Sequence, residues 1–233
     1  MKPLKTFLTA LWLLAMLSTC ENKINHDEAP KPSPLILKNL SVTFAPYAPA
    51  SGRAGDFIFD ARYQKVFYEF GVKVAAVGGG TKVLAEFTYN VDSKTVVRAP
   101  AAGYITGVHD QEGRDYEIWI QPQPENAIWM LVIDHISNPL VKVGQAVQAG
   151  DPLGNPGPWD ANLGRVEIML VNQQEKAYYA PFAQFDPELS EPYQNQVWQL
   201  MREWEHFKGD TTLYDQTTMK KYYAGCLNKV YYE

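Results

Sequence analysis

The chain has 233 residues, of which 46% are hydrophobic and 13% aromatic, with a formal net charge of −5 and a pI near 5.4. This length favours one domain with extensions over two full cores, and the hydrophobic fraction is enough to bury a substantial core. The acidic balance and the lack of a basic stripe exclude nucleic acid as the main partner, because nothing would displace the phosphate counterions.

Residues 1–20 are predicted to be a signal peptide that is not part of the fold. Lys2 and Lys5 precede an apolar run that is too short to span a bilayer of about 30 Å as a helix. The run ends in Leu17-Ser-Thr-Cys20, which is similar to the lipobox of bacterial lipoproteins. We therefore expect a lipid on Cys20 that anchors the protein to a membrane of the bacterial cell envelope, facing outside the cytoplasm. The alternative is an ordinary secretory signal in which Cys20 is incidental.

Residues 21–36 are polar, contain three prolines and are predicted to be a flexible tether. Residues 37–83 are predicted to be accessory β-strands, with stretches at 65–74 and 82–91 that alternate between apolar and polar side chains. Gly78-Gly79-Gly80 reads as a turn between them. A phosphate loop would need a following helix and a Gly-Lys-Ser/Thr ending, and neither is present.

Two glycine-rich corners organise residues 84–189. One is Val97-Arg-Ala-Pro-Ala-Ala-Gly103-Tyr-Ile105, and the other runs from Leu140 through Gly144, Gly150 and Gly154. Glycine adopts the positive φ of tight turns without strain, so we expect each corner to fold back on itself and to pack against the other. Strands are also expected at 116–120, at 127–133, where the apolar run predicts burial on both faces, and at 165–170.

Residues 190–233 are predicted to form a C-terminal helix and tail. Ser190 is the expected N-cap, Pro192 lies in the first turn, and the helix should end near Lys208-Gly209. Val197, Leu200, Met201 and Trp204 form one apolar stripe, which we expect to dock on the β-domain rather than to await a partner. The tyrosine-rich residues beyond the helix are not assigned. Cys226 has no partner if Cys20 carries lipid, so no disulfide is expected.

The stretch His135-Ile-Ser-Asn-Pro-Leu-Val-Lys-Val-Gly144-Gln-Ala-Val-Gln-Ala-Gly150-Asp-Pro-Leu-Gly154 resembles the lysostaphin/LytM-type zinc metalloendopeptidases (metallopeptidase family 23), which cut peptidoglycan cross-links. The corner around Gly103 and the segment Phe185-Asp-Pro187 are similar to further parts of that family. The resemblance covers residues 84–189. It implies a mainly β fold, the duplicated hybrid motif or barrel-sandwich hybrid β-sandwich, here with a C-terminal helical extension.

The same resemblance implies that the zinc site is degenerate. The family holds zinc with an H-x-x-x-D pair and the second histidine of an H-x-H on the last strand. Here the H-x-x-x-D positions hold Leu84 and Thr88, and the H-x-H positions hold Arg165 and Glu167. Only the isolated histidine, His135, remains, and we expect it to be vestigial. No catalytic residue, metal or cofactor is therefore expected.

Arg165 and Glu167 lie two residues apart on one strand and should share a face. We hypothesise that they form a polar cluster, with His135 as a further member, where the enzymes bind zinc. A near-stoichiometric zinc content, or three donor atoms converging near His135, would contradict this hypothesis. In the plainer interpretation, both side chains are only solvated and His135 is a hydrogen-bonded turn residue. Trp119 and Trp159 are candidates for stacking on a saccharide or peptide, although such aromatic side chains more often belong to a core.

These observations predict a non-catalytic envelope lipoprotein, which binds peptidoglycan or an envelope protein through its groove and so acts as a binding or regulatory module. One alternative is an active zinc-dependent peptidoglycan endopeptidase with unrecognised ligands. Another is an adaptor or carrier with the same hybrid fold. A carrier would present a lysine at a hairpin tip, and Lys82 and Lys142 lack the usual Met-Lys-Met context.

Overall fold

The structure, a computed structural model, describes residues 35–214 except 77 and 126, and residues 229–231. The predicted signal peptide, Cys20, nearly all of the predicted tether and Cys226 lie outside the described residues. Within the described part of the chain, no helix is long and apolar enough to cross a membrane.

The fold is mainly β with one long C-terminal helix, as the sequence predicts. The strands, in chain order, are β1 (Arg53–Ala54), β2 (Phe57–Ile58), β3 (Phe67–Tyr68), β4 (Lys73–Ala75), β5 (Thr81–Val83), β6 (Phe87–Asp92), β7 (Val97–Arg98), β8 (Gly103–Asp110), β9 (Tyr116–Gln121), β10 (Trp129–Ser137), β11 (Ala146–Val147), β12 (Pro152–Asp160), β13 (Leu163–Asn172), β14 (Ala177–Tyr179) and β15 (Lys229–Tyr231). A 3₁₀ turn, Pro181–Gln184, precedes the helix α1, Pro187–Lys208.

One antiparallel sheet of eleven strands dominates the described residues, and β13 is its hub. β13 pairs with β6 over residues 163–168 and with β10 over residues 167–172, and it also pairs with β12 at 163–165 and with β14 at 170–172. β4 and β5 form a separate hairpin whose turn contains Gly78, Gly79 and Gly80, which confirms the predicted turn. Because β6 and β10 both lie against β13, residues distant in sequence meet along this strand.

The two glycine corners pack against each other, as predicted. β11 pairs with β8 at Val147 and Gly103, and the Ile105 N–H donates to the Gln145 carbonyl oxygen at 2.9 Å. Gly144 and Gly150 both have positive φ, 86° and 96°, as the turn argument requires. The Gly150 N–H donates to the Ala99 carbonyl oxygen at 2.8 Å, so main-chain hydrogen bonds join the two corners.

We expect Gly103→Ala to destabilise this junction. A Cβ atom at Gly103 would overlap the main-chain carbonyl oxygen of Gln121 on the neighbouring strand, so the backbone would have to shift. Such overpacking costs about 1–3 kcal/mol. Urea unfolding should show this loss for Gly103→Ala, whereas Ala102→Ser, at an exposed neighbouring position, should change the free energy of unfolding by less than about 0.5 kcal/mol. An unaltered Gly103→Ala midpoint would contradict the close strand approach.

Residues 37–83, predicted to be accessory strands, pack into the same hydrophobic core as residues 84–189. Leu37, Phe57 and Phe67 are fully buried in that core together with Phe87 and Ile133. Burial also corrects the end of the predicted tether. Leu35 has no exposed surface, so the last residues of the range 21–36 belong to the fold.

The stretch predicted to be a strand at 65–74 is interrupted. Only Phe67–Tyr68 and Lys73–Ala75 are extended and paired, because Gly71 has a φ of 80° and turns the chain between them. The Gly71 N–H donates to the Leu84 carbonyl oxygen at 2.6 Å. The apolar run at 127–133 continues as β10 to Ser137, and its central residues are buried on both faces as predicted.

The helix begins earlier than predicted. Asp186, not Ser190, is the N-cap, since its side chain accepts a hydrogen bond from the Glu188 N–H at 3.0 Å and Pro187 occupies the first helical position. Pro192 lies inside the helix. The end at Lys208 with Gly209 in the left-handed conformation is confirmed. The stripe of Val197, Leu200, Met201 and Trp204 is buried against the β-domain, which confirms the predicted docking.

Candidate functional site

Glu167 lies at the centre of a polar group on one face of the large sheet. Its neighbours across the sheet are Thr88 on β6 and Asp134 on β10, and directly opposed residues in an antiparallel sheet share a face. Arg165, two residues away on β13, lies on that face opposite Asn90. The alternate residues of β13, Val166 and Ile168, are buried in the core. Strand pairing thus collects polar side chains from three strands.

The carboxylate of Glu167 has three polar neighbours. Arg165 Nη2 lies 2.5 Å from Glu167 Oε1, the Thr88 hydroxyl is a hydrogen-bond donor at 3.4 Å, and His135 Nε2 lies 3.7 Å away. Glu167 is only 5% exposed, so this guanidinium neutralises a carboxylate that water can hardly reach. The structure therefore brings Arg165, Glu167, Thr88 and His135 together.

A β-bulge orients His135 toward this group. The pairing of β9 with β10 shifts register between Ile133 and Ile136, and His135 has a φ of 57°, in the left-handed region. His135 Nδ1 lies 2.7 Å from Asp115 Oδ2, while Gly157 packs against both residues without a side chain of its own. The imidazole thus lies between two carboxylates, Asp115 on one side and Glu167 on the other.

Sequence reasoning missed Asp115 and Asp134. With His135 they form a group in which one potential metal-ligating atom per residue lies within 4.8 Å of the others. Asp134 accepts a hydrogen bond from the His135 N–H at 2.7 Å, and burial raises the pKa of its carboxyl above the ordinary value. Asp134 directly precedes His135 in sequence, but only the bulge shows that both face Asp115. Three potential donor atoms therefore converge near His135, which is the arrangement that an active enzyme with unrecognised ligands would need.

The positions that hold zinc in the resembled family do not fit that ion here. Leu84 is 2% exposed and offers only hydrocarbon, and Thr88 offers a hydroxyl that donates to Glu167. The guanidinium of Arg165 repels a cation and already contacts the Glu167 carboxylate. A zinc ligand set normally needs three or four Cys, His or carboxylate donors in tetrahedral arrangement, and the predicted positions supply one.

A cavity of about 300 Å³ opens beside the polar group. Its lining includes Leu84, Thr88 and Asn90. The hairpin of β4 and β5 contributes Val74 and Lys82, and the remaining lining residues include Tyr68, Trp159 and Arg165. Of the predicted site residues, Leu84, Thr88 and Arg165 line this cavity. Glu167 does not line it but contacts Arg165. The volume lies at the lower end of the range of about 300–1,000 Å³ usual for small-molecule sites.

The two tryptophans singled out from the sequence differ in environment. Trp159 is 53% exposed, and the Arg165 guanidinium lies 4.9 Å from its ring centroid. Trp119 is half-buried, its indole N–H donates to the Glu117 carboxylate, and its ring lies 4.2 Å from that of His109. Only Trp159 lines the cavity, so it is the stronger candidate for stacking against a ligand.

Glu86 is a further buried carboxyl near the site that the sequence did not single out. It is 5% exposed and its Oε1 lies 3.7 Å from Lys82 Nζ, too far for a hydrogen bond. Burial, together with the negative charge of Glu167, raises the pKa of Glu86 to about 6. A group with this pKa changes charge just below neutral pH.

No protein-family model matches the chain, and no curated protein sequence matches it. Among solved structures, part of the chain is similar to the catalytic domain of the antimicrobial peptidase lysostaphin from Staphylococcus simulans, with 20% identity over 49% of this chain and 88% of that chain and a TM-score of 0.38. A zinc containing peptidase from Vibrio cholerae is 16% identical over 56% of this chain and 36% of that chain, with a TM-score of 0.38.

Helicobacter pylori Csd3 is 12% identical over 74% of this chain and 43% of that chain, with a TM-score of 0.41. The match to a solution structure of lysostaphin spans 42% of that protein's length. The similarities are thus partial and distant. Two others are a prophage-encoded M23 protein from Enterococcus faecalis and a putative peptidase M23 from Pseudomonas aeruginosa.

Proposed function

We propose that this protein is a non-catalytic lipoprotein of the bacterial cell envelope, in which a LytM-type peptidase-like domain has lost zinc and binds an envelope component through its groove. The anchor in this proposal is a lipid on Cys20, and the component is peptidoglycan or an envelope protein. The domain acts as a binding or regulatory module rather than as an enzyme. The support for the peptidase-like assignment is the pair of glycine corners, which retain the family's sequence pattern.

The observation that carries the loss of catalysis is the ion pair between Arg165 and Glu167. Arg165 Nη2 lies 2.5 Å from Glu167 Oε1, so a permanent cation takes up the carboxylate that would otherwise be the best metal ligand on β13. Arginine remains protonated at any physiological pH. Leu84 and Thr88 supply no further ligand. Hydrolysis by the family's mechanism requires a metal that activates water, and of these four positions only Glu167 offers a carboxylate, nitrogen or thiolate donor for one.

The converging atoms of Asp115, Asp134 and His135 favour a second candidate, an active zinc-dependent peptidoglycan endopeptidase with ligands at other positions. Convergence of three donor atoms near His135 is the observation that would count against a non-catalytic site. In the structure, however, Asp115 and Asp134 each bind the His135 ring or main chain. The group offers one nitrogen and two carboxylates, a donor set that also recurs as a simple hydrogen-bonded cluster.

Metal content and hydrolysis decide between the two candidates. We expect the protein, purified without chelators from zinc-supplemented medium, to contain far less than one equivalent of zinc by plasma mass spectrometry. It should release no amines from purified peptidoglycan, yet cosediment with it. The second candidate instead predicts stoichiometric zinc and hydrolysis, both lost in Asp115→Asn and retained in Asp110→Asn, a control at an exposed position. That result would overturn the proposed function.

A further inference from the structure

The loop that opens the second glycine corner exposes two large aliphatic side chains. Leu140 is 62% exposed and Val143 60%, the highest values for large hydrophobic residues in the described part of the chain. Val141, between them, packs partly against the core, and the Leu140 N–H donates to the Leu153 carbonyl oxygen at 2.8 Å. The loop is thus fixed to the fold. Because single exposed hydrophobic residues are common, the surroundings decide whether this pair matters.

Further apolar surface adjoins the loop. Tyr104 is 38% exposed and pairs with Ala146 where the two corners meet. The Gly144 N–H donates to the Ile105 carbonyl oxygen at 2.8 Å, which fixes the loop beside Tyr104. A depression of about 310 Å³ lies here, and its lining includes Ala102, Tyr104, Pro122 and Ala146. We call the exposed apolar residues of this region the corner face: Ala102, Tyr104, Leu140, Val143 and Ala146.

The charges beside the corner face are mainly positive. The two corners and residues 35–40 contain three exposed cations, which we call the basic border: Lys38, Arg98 and Lys142. The only acidic residue in these segments is Asp151, although the whole chain has a net charge of −5. The positive excess is therefore local. An anionic lipid surface complements such charges, and its apolar layer accommodates exposed aliphatic side chains.

The chain enters the described fold at the same end. Leu37 is fully buried and forms a bridge with Ala101, and the Lys38 N–H donates to the Pro100 carbonyl oxygen at 2.8 Å. Cys20, the proposed lipid attachment point, precedes Leu37 by 17 positions. A tether of this kind raises the effective concentration of the attached face at the membrane to about the millimolar range. A contact too weak to hold a free domain is then sufficient.

We propose that the corner face and its basic border rest on an anionic lipid surface. Leu140 and Val143 enter the level of the headgroups, while the cationic side chains contact lipid phosphates. This inference rests on the lipid anchor of the proposed function and adds an orientation of the domain to it. None of the corner-face residues lines the cavity beside Arg165, so the contact does not occupy that cavity.

The test uses the full acylated chain, reconstituted into vesicles, with an environment-sensitive nitrobenzoxadiazole label at position 140. Leu140→Cys accepts the label, and Cys226→Ser leaves no other free thiol when Cys20 is acylated. On vesicles that contain phosphatidylglycerol, at low salt, we expect emission at least about twofold higher than on vesicles of phosphatidylcholine alone, because contact with lipid removes water from the label. A label introduced with Glu112→Cys, in the exposed turn between β8 and β9, should show equal emission on both.

Charge reversal tests the basic border. Lys142→Glu should reduce the emission gain at position 140 by at least about half, since it replaces an attraction to the anionic surface with a repulsion. Lys94→Glu is the matched control, because it makes the same change at an exposed position outside the corners and residues 35–40. This control should retain the gain. An equal effect of the two reversals would show that only the total charge matters and would overturn the assignment of this face.

Two further results would overturn the inference. One is equal emission from position 140 on both vesicle compositions. The other is a rise of that emission with protein concentration in the absence of vesicles, which would assign the face to a second copy of the chain. Absence of lipid on Cys20, measured by mass spectrometry, would refute the anchor in the proposed function and this inference with it. Equal emission from the acylated protein would refute the inference alone.

Discussion

Trp204→Ala is expected to lower the free energy of unfolding by about 3–5 kcal/mol, the range for loss of a large buried aromatic side chain. Trp204 has no exposed surface, and its ring contacts Phe59 edge-on at 5.0 Å and Phe207 at 5.5 Å. Its indole N–H donates to the Gln64 carbonyl oxygen at 3.0 Å. The alanine variant loses these contacts and leaves the Gln64 carbonyl without its donor.

Urea unfolding followed by circular dichroism measures this effect. Trp159→Ala is the matched control, since the same substitution at a 53% exposed position should cost about 1 kcal/mol or less, mainly the contact with Arg165. If Trp204→Ala lowers the free energy of unfolding no more than the control does, the docking of α1 does not depend on this side chain. A lower denaturant slope in the variant would indicate that the helix detaches before the sheet unfolds.

Glu86→Gln is expected to stabilise the protein above neutral pH by up to about 2 kcal/mol, the equivalent of the shift of its pKa from 4.5 to about 6. Burial is the main cause of this shift and the charge of Glu167 the next. Because the folded state holds the proton more tightly than the unfolded state, the contribution of Glu86 is fully present below pH 4.5 and is lost as the pH rises through about 6. Glutamine keeps the shape and has no charge to desolvate.

The readout is the difference between variant and wild type in urea unfolding at pH 4 and at pH 8. The difference should be near zero at the lower pH and favour the variant at the higher one. Glu69 and Asp134 also have pKa values raised by burial, so the wild-type curve alone would not isolate Glu86. Glu112→Gln, in an exposed turn, is the control. A Glu86→Gln advantage that is the same at both pH values would contradict the buried-charge explanation.

Most of the fold could be predicted because its signals are local. Alternation marks a strand with one buried face, and glycine marks the tight turns of the two corners, so both corners and their packing were accessible from the sequence. The start of α1 was not, since Asp186-Pro187 and Ser190 with Pro192 offer competing signals of the same kind. The side-chain bond of Asp186 decides for the earlier start.

The site could be predicted only where it depends on spacing along one strand. The two-residue spacing of Arg165 and Glu167 is enough to place them on one face. Asn90 lies on β6 and Asp115 directly precedes β9. Their positions opposite Arg165 and beside His135 depend on the pairing of β6 with β13, on the pairing of β9 with β10 and on the left-handed conformation of His135. A single sequence contains no local signal for such a bulge. The roles of these residues in binding remain predictions.

The attachment of Leu37 has a mechanical consequence. Its N–H donates to the Gln184 carbonyl oxygen and its carbonyl accepts from the Asp186 N–H, both at 2.8 Å, and it also bridges to Ala101. A pulling force applied from the N-terminal side would therefore load these bonds together at the junction of helix and sheet. If the chain is held at Cys20, tension along the chain would act on these hydrogen bonds of Leu37 before it acts on the strands that follow.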